Sequence, residues 1–332
     1  MKAEQHAKPR AAHPLRGYLL IAAAAFLWGV SAALGRAVFT GRLSLLGSSP
    51  RPIDPLILSQ TRAGFSLLIL LPILLLSRGW ERIKLPAADL AQCFFLGTLG
   101  VAVSNYFYYV AIQRTNVATA IIVQYTAPVW VLLYVVARGQ QKLTLQKVVA
   151  VGFAVAGIAL VIGVIGGGQA GMPLRLDFYG FLAALLASFS FAFYNVGGHS
   201  ILARRDRWLV LLWTLISASI CWLFLNPPWR VVAAHYQPRE WIFLLVFSII
   251  SVLGPFSLYF HGLQYLEPTR AIVASCLEPV FSILLAAVFL GEVLRPVQTL
   301  GIMLVLAAIV IVQRPAGGAA ALEERLAVEP ME

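Results

Sequence analysis

Two stretches of this chain repeat each other at a fixed distance. Residues 108–128 read YYVAIQRTNVATAIIVQYTAP and residues 259–279 read YFHGLQYLEPTRAIVASCLEP. Tyr108 matches Tyr259, Gln113 matches Gln264, Ala120 matches Ala271 and Pro128 matches Pro279, all at an offset of 151 residues. Both copies lie in long apolar runs, so the repeating unit is a group of membrane helices. The number of spans in the unit then decides the architecture, because an odd number turns the second copy over in the bilayer.

Apolar runs long enough to cross a bilayer recur from end to end. The chain is 60% hydrophobic and only 12% charged, with a mean hydropathy of +0.83, which makes it an all-α integral membrane protein. Ten candidate spans are read at 17–39, 56–77, 88–112, 117–137, 147–165, 178–200, 208–226, 241–264, 269–290 and 297–313. The offset carries the third span onto the eighth and the fourth onto the ninth, so the unit holds five spans and the halves are inverted. The expected organisation is a tail over 1–16, a first five-helix repeat over 17–166, a linker over 167–177, a second repeat over 178–313 and a tail over 314–332.

A net charge of +11 would point to nucleic acid in a soluble protein. Here its distribution points to the bilayer instead. The two tails and the loops after even-numbered spans hold 16 of the 25 Lys and Arg residues, among them Arg78, Lys84, Lys142, Arg204 and Arg205. The opposite side holds 9, including Arg36 and Arg62 toward helix ends. Positive charge stays on the cytoplasmic side, so both termini are expected there, as an even span count requires. The first apolar run is too long for a cleaved leader and is read as a retained span. Cys93, Cys221 and Cys276 are scattered within spans, with no disulfide or zinc spacing.

The residues resemble a known family. TrpGly in span one (Trp28, Gly29), an Arg early in span two (Arg62), GluPro in span nine (Glu278, Pro279) and GlyGlu ending it (Gly291, Glu292) are similar to the drug/metabolite transporter superfamily. Its EamA branch is the best match, over about Gly17 to Gln313. The first half departs from the pattern: residues 124–128 lack the acid of GluPro, and Gly139 is followed by Gln140. The resemblance implies a secondary transporter of small organic solutes in a bacterial inner membrane, with amino acids or related metabolites as cargo and export as the direction. Anionic nucleotide sugars or sugar phosphates are a second cargo class. They call for a cationic cavity, and no Lys or Arg lies near the middle of a span.

Unpaired polar groups at bilayer depth cost several kcal/mol, so they turn toward protein or a water-filled cavity. Helical spacing groups them: Asn105 and Tyr109 with Tyr106; Asn195 and His199 with Tyr194; Ser257, His261 and Gln264; Ser275 and Glu278, followed by Ser282; and Gln124 with Tyr125. These are the candidate substrate-binding residues, and a mostly neutral, aromatic lining suits a zwitterion or an amphipathic amine. The plainer reading is that Tyr and Trp form interfacial belts and that Asn, Gln and Ser bond across helices. Glu278 falls near mid-bilayer, where a charge costs roughly 2.5–3.5 kcal/mol on insertion scales. It could carry a coupling proton, bind a substrate amine, or bond a neighbouring helix or His261. Pro128 and Pro279 are matched hinge candidates, since proline removes a helix bond. Arg36 and Arg62 could line an outer vestibule, snorkel, or pair with a loop acid such as Asp54.

No phosphate-binding loop or soluble domain exists to use ATP, so an ion gradient, exchange or the solute's own gradient must drive transport. No cofactor or metal is expected. The bilayer and the solute are the expected partners, and a monomer and a homodimer are both compatible. An intramembrane enzyme, such as a lipid-modifying transferase, would need converging nucleophile, base or metal ligands. The spans hold only two of the five histidines, with no paired acids, no HExxH and no GxSxG. A channel would need charge rings or a carbonyl filter, and a scaffold gives no reason for inverted halves.

Overall fold

A computed structural model describes residues 14–39, 53–114, 123–162, 177–290 and 296–313. Every element among them is helical. In chain order these are α1 (Pro14–Phe39), α2 (Pro55–Arg78), the short α3 (Trp80–Ile83), α4 (Ala87–Phe95) and α5 (Val103–Arg114), with a π-helical segment Leu96–Ala102 between the last two. Then come α6 (Ala127–Ala137), α7 (Leu145–Ile162), α8 (Phe178–Leu202), α9 (Arg207–Leu225) and the short α10 (Pro228–Ala233). A second π segment, Ile249–Leu253, separates α11 (Pro238–Ser248) from α12 (Gly254–Leu263). The chain closes with α13 (Pro268–Ser275), α14 (Leu277–Leu290) and α15 (Pro296–Gln313).

Aspartates start several of these helices by accepting the free N–H groups of the first turn. Asp54 accepts from Leu56 N at 2.7 Å, Asp177 from Gly180 N at 2.9 Å and Asp206 from Trp208 N at 3.0 Å. Gly79 ends α2, its φ of 75° lying in the region only glycine enters freely. Six helical stretches, Pro14–Ser31, Leu56–Arg78, Ala87–Tyr108, Phe178–Leu202, Arg207–Leu225 and Pro238–Leu263, are long and apolar enough to cross a bilayer. Ala127–Ala137, Leu145–Leu160 and Pro296–Val312 are shorter and equally apolar. Leu76 is 90% exposed and Phe224 82%; side chains this apolar turn outward in such numbers only toward lipid. The chain is an integral membrane protein.

Helix ends differ from the expected spans by a few residues. The ninth span, expected to be continuous, is divided at Cys276, and the short helices Trp80–Ile83 and Pro228–Ala233 were not expected. The expected linker before Asp177, residues 1–13 of the first tail, the second tail, Gly291 and Glu292 lie outside the described residues.

Helix packing exchanges under a shift of half the chain. α1 lies on α12 and α14, and α8 lies on α5 and α6; α2 packs on α11, and α9 on α4; α2 meets α9, and α7 meets α15. The interruptions recur too. The π segments at Leu96–Ala102 and Ile249–Leu253 end at residues 102 and 253, and the turns at Tyr125–Thr126 and Cys276 begin at residues 125 and 276. Both pairs stand at the 151-residue offset.

Contacts at the helix ends separate two faces of the bundle. At one face, Leu34 and Ile53 pack with Tyr236 and Leu244, Asp54 N–H donates to the Tyr236 hydroxyl at 3.1 Å, and Asn226 donates to Gln60 at 2.7 Å. At the other, the Arg16 guanidinium lies 5.4 Å from the Tyr265 ring centre. There too Arg78 pairs with Asp206 at 2.8 Å, and buried Asp89 accepts from both Arg204 and Arg205. α1 and α13 therefore start at the second face and α2 starts at the first.

Small residues permit the closest crossings. A Cβ on Gly97 would stand 2.3 Å from the Thr214 carbonyl oxygen and 2.6 Å from Ser217 Cβ, whereas one on Gly64 would meet nothing within 4 Å. Gly97→Ala should therefore lower stability by roughly 1–3 kcal/mol, the usual range for overpacking. Gly64→Ala should be neutral or stabilise by up to about 1 kcal/mol through helix propensity. Thermal unfolding of the two variants in detergent measures the difference.

Candidate functional site

The two matched turns carry the most reactive pair in the interior. At residues 125–126 the helix tightens, with Thr126 N–H bonding Val123 O at 3.1 Å. At Cys276 it does the same, with the N–H bonding Val273 O at 3.2 Å. Pro128 and Pro279 follow, both buried, and proline cannot supply the N–H that a regular helix needs at that position. The expected proline sites are thus where the helices are interrupted. Tyr125 lies in the first turn and Glu278 just past the second, and the Tyr125 hydroxyl donates to Glu278 Oε2 at 2.6 Å. The other Glu278 oxygen accepts no bond from a described residue. Glu278 keeps partial exposure, while Tyr125 is buried.

α1 presses on the same turn through Gly29. A Cβ there would meet Phe281 Cβ at 3.0 Å, Ser282 N at 3.1 Å and Glu278 O at 3.3 Å. Any larger residue would push α1 away from the acid-bearing helix, which gives the TrpGly pair a packing reason. Trp28 itself packs against the rings of Phe256 and Tyr259, with centroids 5.4 Å apart in each case.

Arg62 completes the arrangement from α2. Its Nη2 donates to Ser251 O in the second π segment at 3.2 Å, and its guanidinium lies 5.6 Å from the Phe247 ring centre. Ser66, one turn on, donates to Ser248 O at 3.2 Å. The Arg62 Nε–H is buried with no partner among the described residues. Asp54 does not pair with it, because the carboxylate of Asp54 caps α2. No ion pair within 4.0 Å joins Arg62 to Glu278.

The remaining candidates divide into groups. Asn195, Tyr259 and Tyr194 form a buried polar and aromatic cluster: Asn195 Nδ2 donates to the Tyr259 hydroxyl, and Tyr194 stacks on Phe260 at 5.3 Å. Ser275, buried beside them, donates to Ile272 O at 2.8 Å. This cluster holds α8 against α12. Asn105 and Ser257 bond carbonyls of the preceding π segments, at Val101 and Leu253, and Tyr106 and Gln124 are half-buried. His199 bonds Leu263 O at 3.1 Å through Nδ1. His261 faces Tyr265 at 3.4 Å and stands at the face of the bundle that carries Arg16, away from Glu278. Gln264 is half-buried at the end of α12. Tyr109 belongs to α5, and its side chain, like that of Arg36, lies outside the described residues. Among the described residues no cluster of His, Cys, Asp or Glu could hold a metal ion.

A membrane-embedded helical bundle with paired helix interruptions around a single acid is the architecture of a solute carrier. The profile of the EamA-like transporter family matches this chain twice, over residues 15–163 and 178–314, and the chain belongs to that family, within the drug/metabolite transporter superfamily. An uncharacterized transporter of Archaeoglobus fulgidus is 24% identical over 65% of this chain and 76% of its own length. The uncharacterized inner membrane transporter YicL of Salmonella typhimurium is 23% identical over 68% of this chain and 73% of its own. One crystal structure superposes with a TM-score of 0.69 at 20% identity, covering 93% of this chain and 98% of the other. That likeness concerns the fold.

The buried cluster and the Tyr125–Glu278 pair should respond differently to loss of one hydroxyl. Tyr259→Phe strips the Asn195 amide of its partner and should cost about 0.5–2 kcal/mol of stability while leaving solute transport near wild type. Tyr125→Phe should leave the melting temperature nearly unchanged and reduce transport. Parallel melting curves and uptake rates in liposomes check both.

Proposed function

We propose that this protein is a secondary-active exporter of amino acids or related amphipathic solutes, working by alternating access across a bacterial inner membrane. The observation that carries the reading is the Tyr125–Glu278 hydrogen bond across the two matched turns. Binding sites of inverted-repeat carriers lie where discontinuous helices of the two halves meet, and these turns are such a place. In this reading ten spans form two inverted five-helix halves. The exchange of helix partners between halves supports this, as does the double match of the family profile. The face bearing Arg16, Arg78, Arg204 and Arg205 is cytoplasmic, as positive charge requires.

The halves rock about the paired turns, so that the space around Glu278 opens to one face and then to the other. Aromatic side chains give the solute an apolar surface, and Glu278 gives it one fixed acid. A carboxylate at this depth is costly unless it is used.

Reconstitution in liposomes with labelled amino acids, with and without an imposed pH gradient, tests this. Wild-type uptake should saturate and respond to the gradient. In Glu278→Gln it should fall about tenfold or more, the loss expected when a charged hydrogen bond worth 1.5–3 kcal/mol disappears, and the gradient response should vanish. Uptake indifferent to both would leave Glu278 a packing residue.

A further inference from the structure

Arg62 is the one described cation reaching into the interior whose hydrogen bonding is incomplete. Its Nη2 is held by the Ser251 carbonyl and its flat face rests near Phe247. That fixes the guanidinium in place and leaves the buried Nε–H unfilled. A buried donor without a partner costs about 1–3 kcal/mol, and a guanidinium accepts a carboxylate through paired N–H groups. What is missing is an acceptor, and an anion is the one that also matches the guanidinium's charge. Glu278 does not fill it, since the two groups never come within 4.0 Å, and Asp54 is committed to capping α2.

Depth places the two charges together. Arg62 lies eight residues beyond Asp54 at one face, or about 12 Å into the bundle at 1.5 Å per residue. Glu278 lies eleven residues beyond Glu267 at the opposite face, or about 16 Å in. Across a hydrocarbon core of about 30 Å, both stand at nearly the same level. α1 packs against both the second π segment, which holds Arg62 through Ser251, and α14, which carries Glu278.

We propose that Arg62 and Glu278 are the two poles of one binding site that takes a zwitterion with adjacent ammonium and carboxylate groups. The carboxylate docks on the free edge of Arg62, and the ammonium on the open oxygen of Glu278. This rests on the transport reading above and adds to it a residue that selects the solute. Neither charge has a counterpart in the other half. The position 151 residues after Arg62 is Trp213, whose indole donates to Ile83 O at 2.8 Å. The position 151 residues before Glu278 is Ala127. One site per chain follows.

Competition against labelled amino-acid uptake in liposomes tests the proposal on the wild type first. The competitors are the unlabelled amino acid, the amine lacking its carboxylate, and the N-acetyl derivative lacking its positive charge. Each truncated compound should compete at least tenfold more weakly than the parent. In Arg62→Gln the preference for the amino acid over the amine should collapse, while discrimination against the N-acetyl compound persists. Glu278→Gln should show the reverse. Either truncated compound competing as well as the parent in the wild type, or Arg62→Gln keeping the wild-type ratios, overturns the proposal and leaves the transport reading standing. No saturable uptake of any of the three by the wild type overturns both. The wild-type series needs no variant to fold, and detergent melting curves identify any variant that does not.

Discussion

A polypeptide in hydrocarbon must satisfy its backbone hydrogen bonds internally, and among the described residues the α-helical ladder is interrupted at four places that match in pairs. Two are π segments and two are tightened turns before proline. Side chains meet carbonyls of both π segments: Arg62 and Ser257 reach Ser251 O and Leu253 O in the second, and Asn105 reaches Val101 O in the first. Close glycine packing accompanies the first, where Gly97 admits the backbone of α9 and Gly100 the side chain of Tyr194. The interruptions are costly in lipid and persist because the interior needs them. They bring a tyrosine, an acid and an arginine to the middle of the structure.

The scaffold is symmetric and the chemistry is not. Helix partners, π segments and turns all recur at the half-chain offset, yet the acid and the arginine have unlike residues at the matching positions. In the proposed cycle, symmetric packing offers two states of equal architecture, open to one face or to the other, and an asymmetric site gives the solute a defined orientation in both. The ends of the bundle are tied separately, by the Asp89–Arg204–Arg205 and Arg78–Asp206 pairs at one face and by Tyr236 with Asp54 at the other. Arg78 and Asp206 keep about a third or more of their surface exposed, so that pair contributes little to stability. Asp89 is buried, and two arginines compensate its charge.

Much of the architecture was legible in the repeat. The apolar runs located the described helices to within a few residues, and the 151-residue offset picked out Pro128 and Pro279. It could not show the π segments, because residues 96–102 and 249–253 share little sequence and their common feature is backbone geometry. Glu278 was legible as a lone acid in an apolar run, and its partner Tyr125 was legible only as a candidate, since pairing across 153 residues depends on how the halves meet. Arg62 was legible only as a choice between lining an outer vestibule, snorkelling to the headgroups and pairing with Asp54. Asp54 precedes Pro55 at a helix start, and its oxygens are spent on the first-turn amides, a competition that spacing alone does not reveal. His261 shares a helical face with Ser257, yet it lies two turns from the second π segment and close to the Arg16 end. Periodicity reports a face and says nothing of depth.

Alternating exposure of the space around Tyr125 and Glu278 is the central claim, and accessibility measures it most directly. Gln124, half-buried beside the pair, can be replaced by cysteine in a chain whose Cys93, Cys221 and Cys276 have been replaced by alanine. A membrane-impermeant maleimide is then applied to sealed vesicles of each orientation. Two inverted halves rocking about the matched turns predict labelling of Gln124→Cys from both sides, with saturating amino acid slowing each reaction. Labelling from one side alone, unchanged by the solute, would contradict the account.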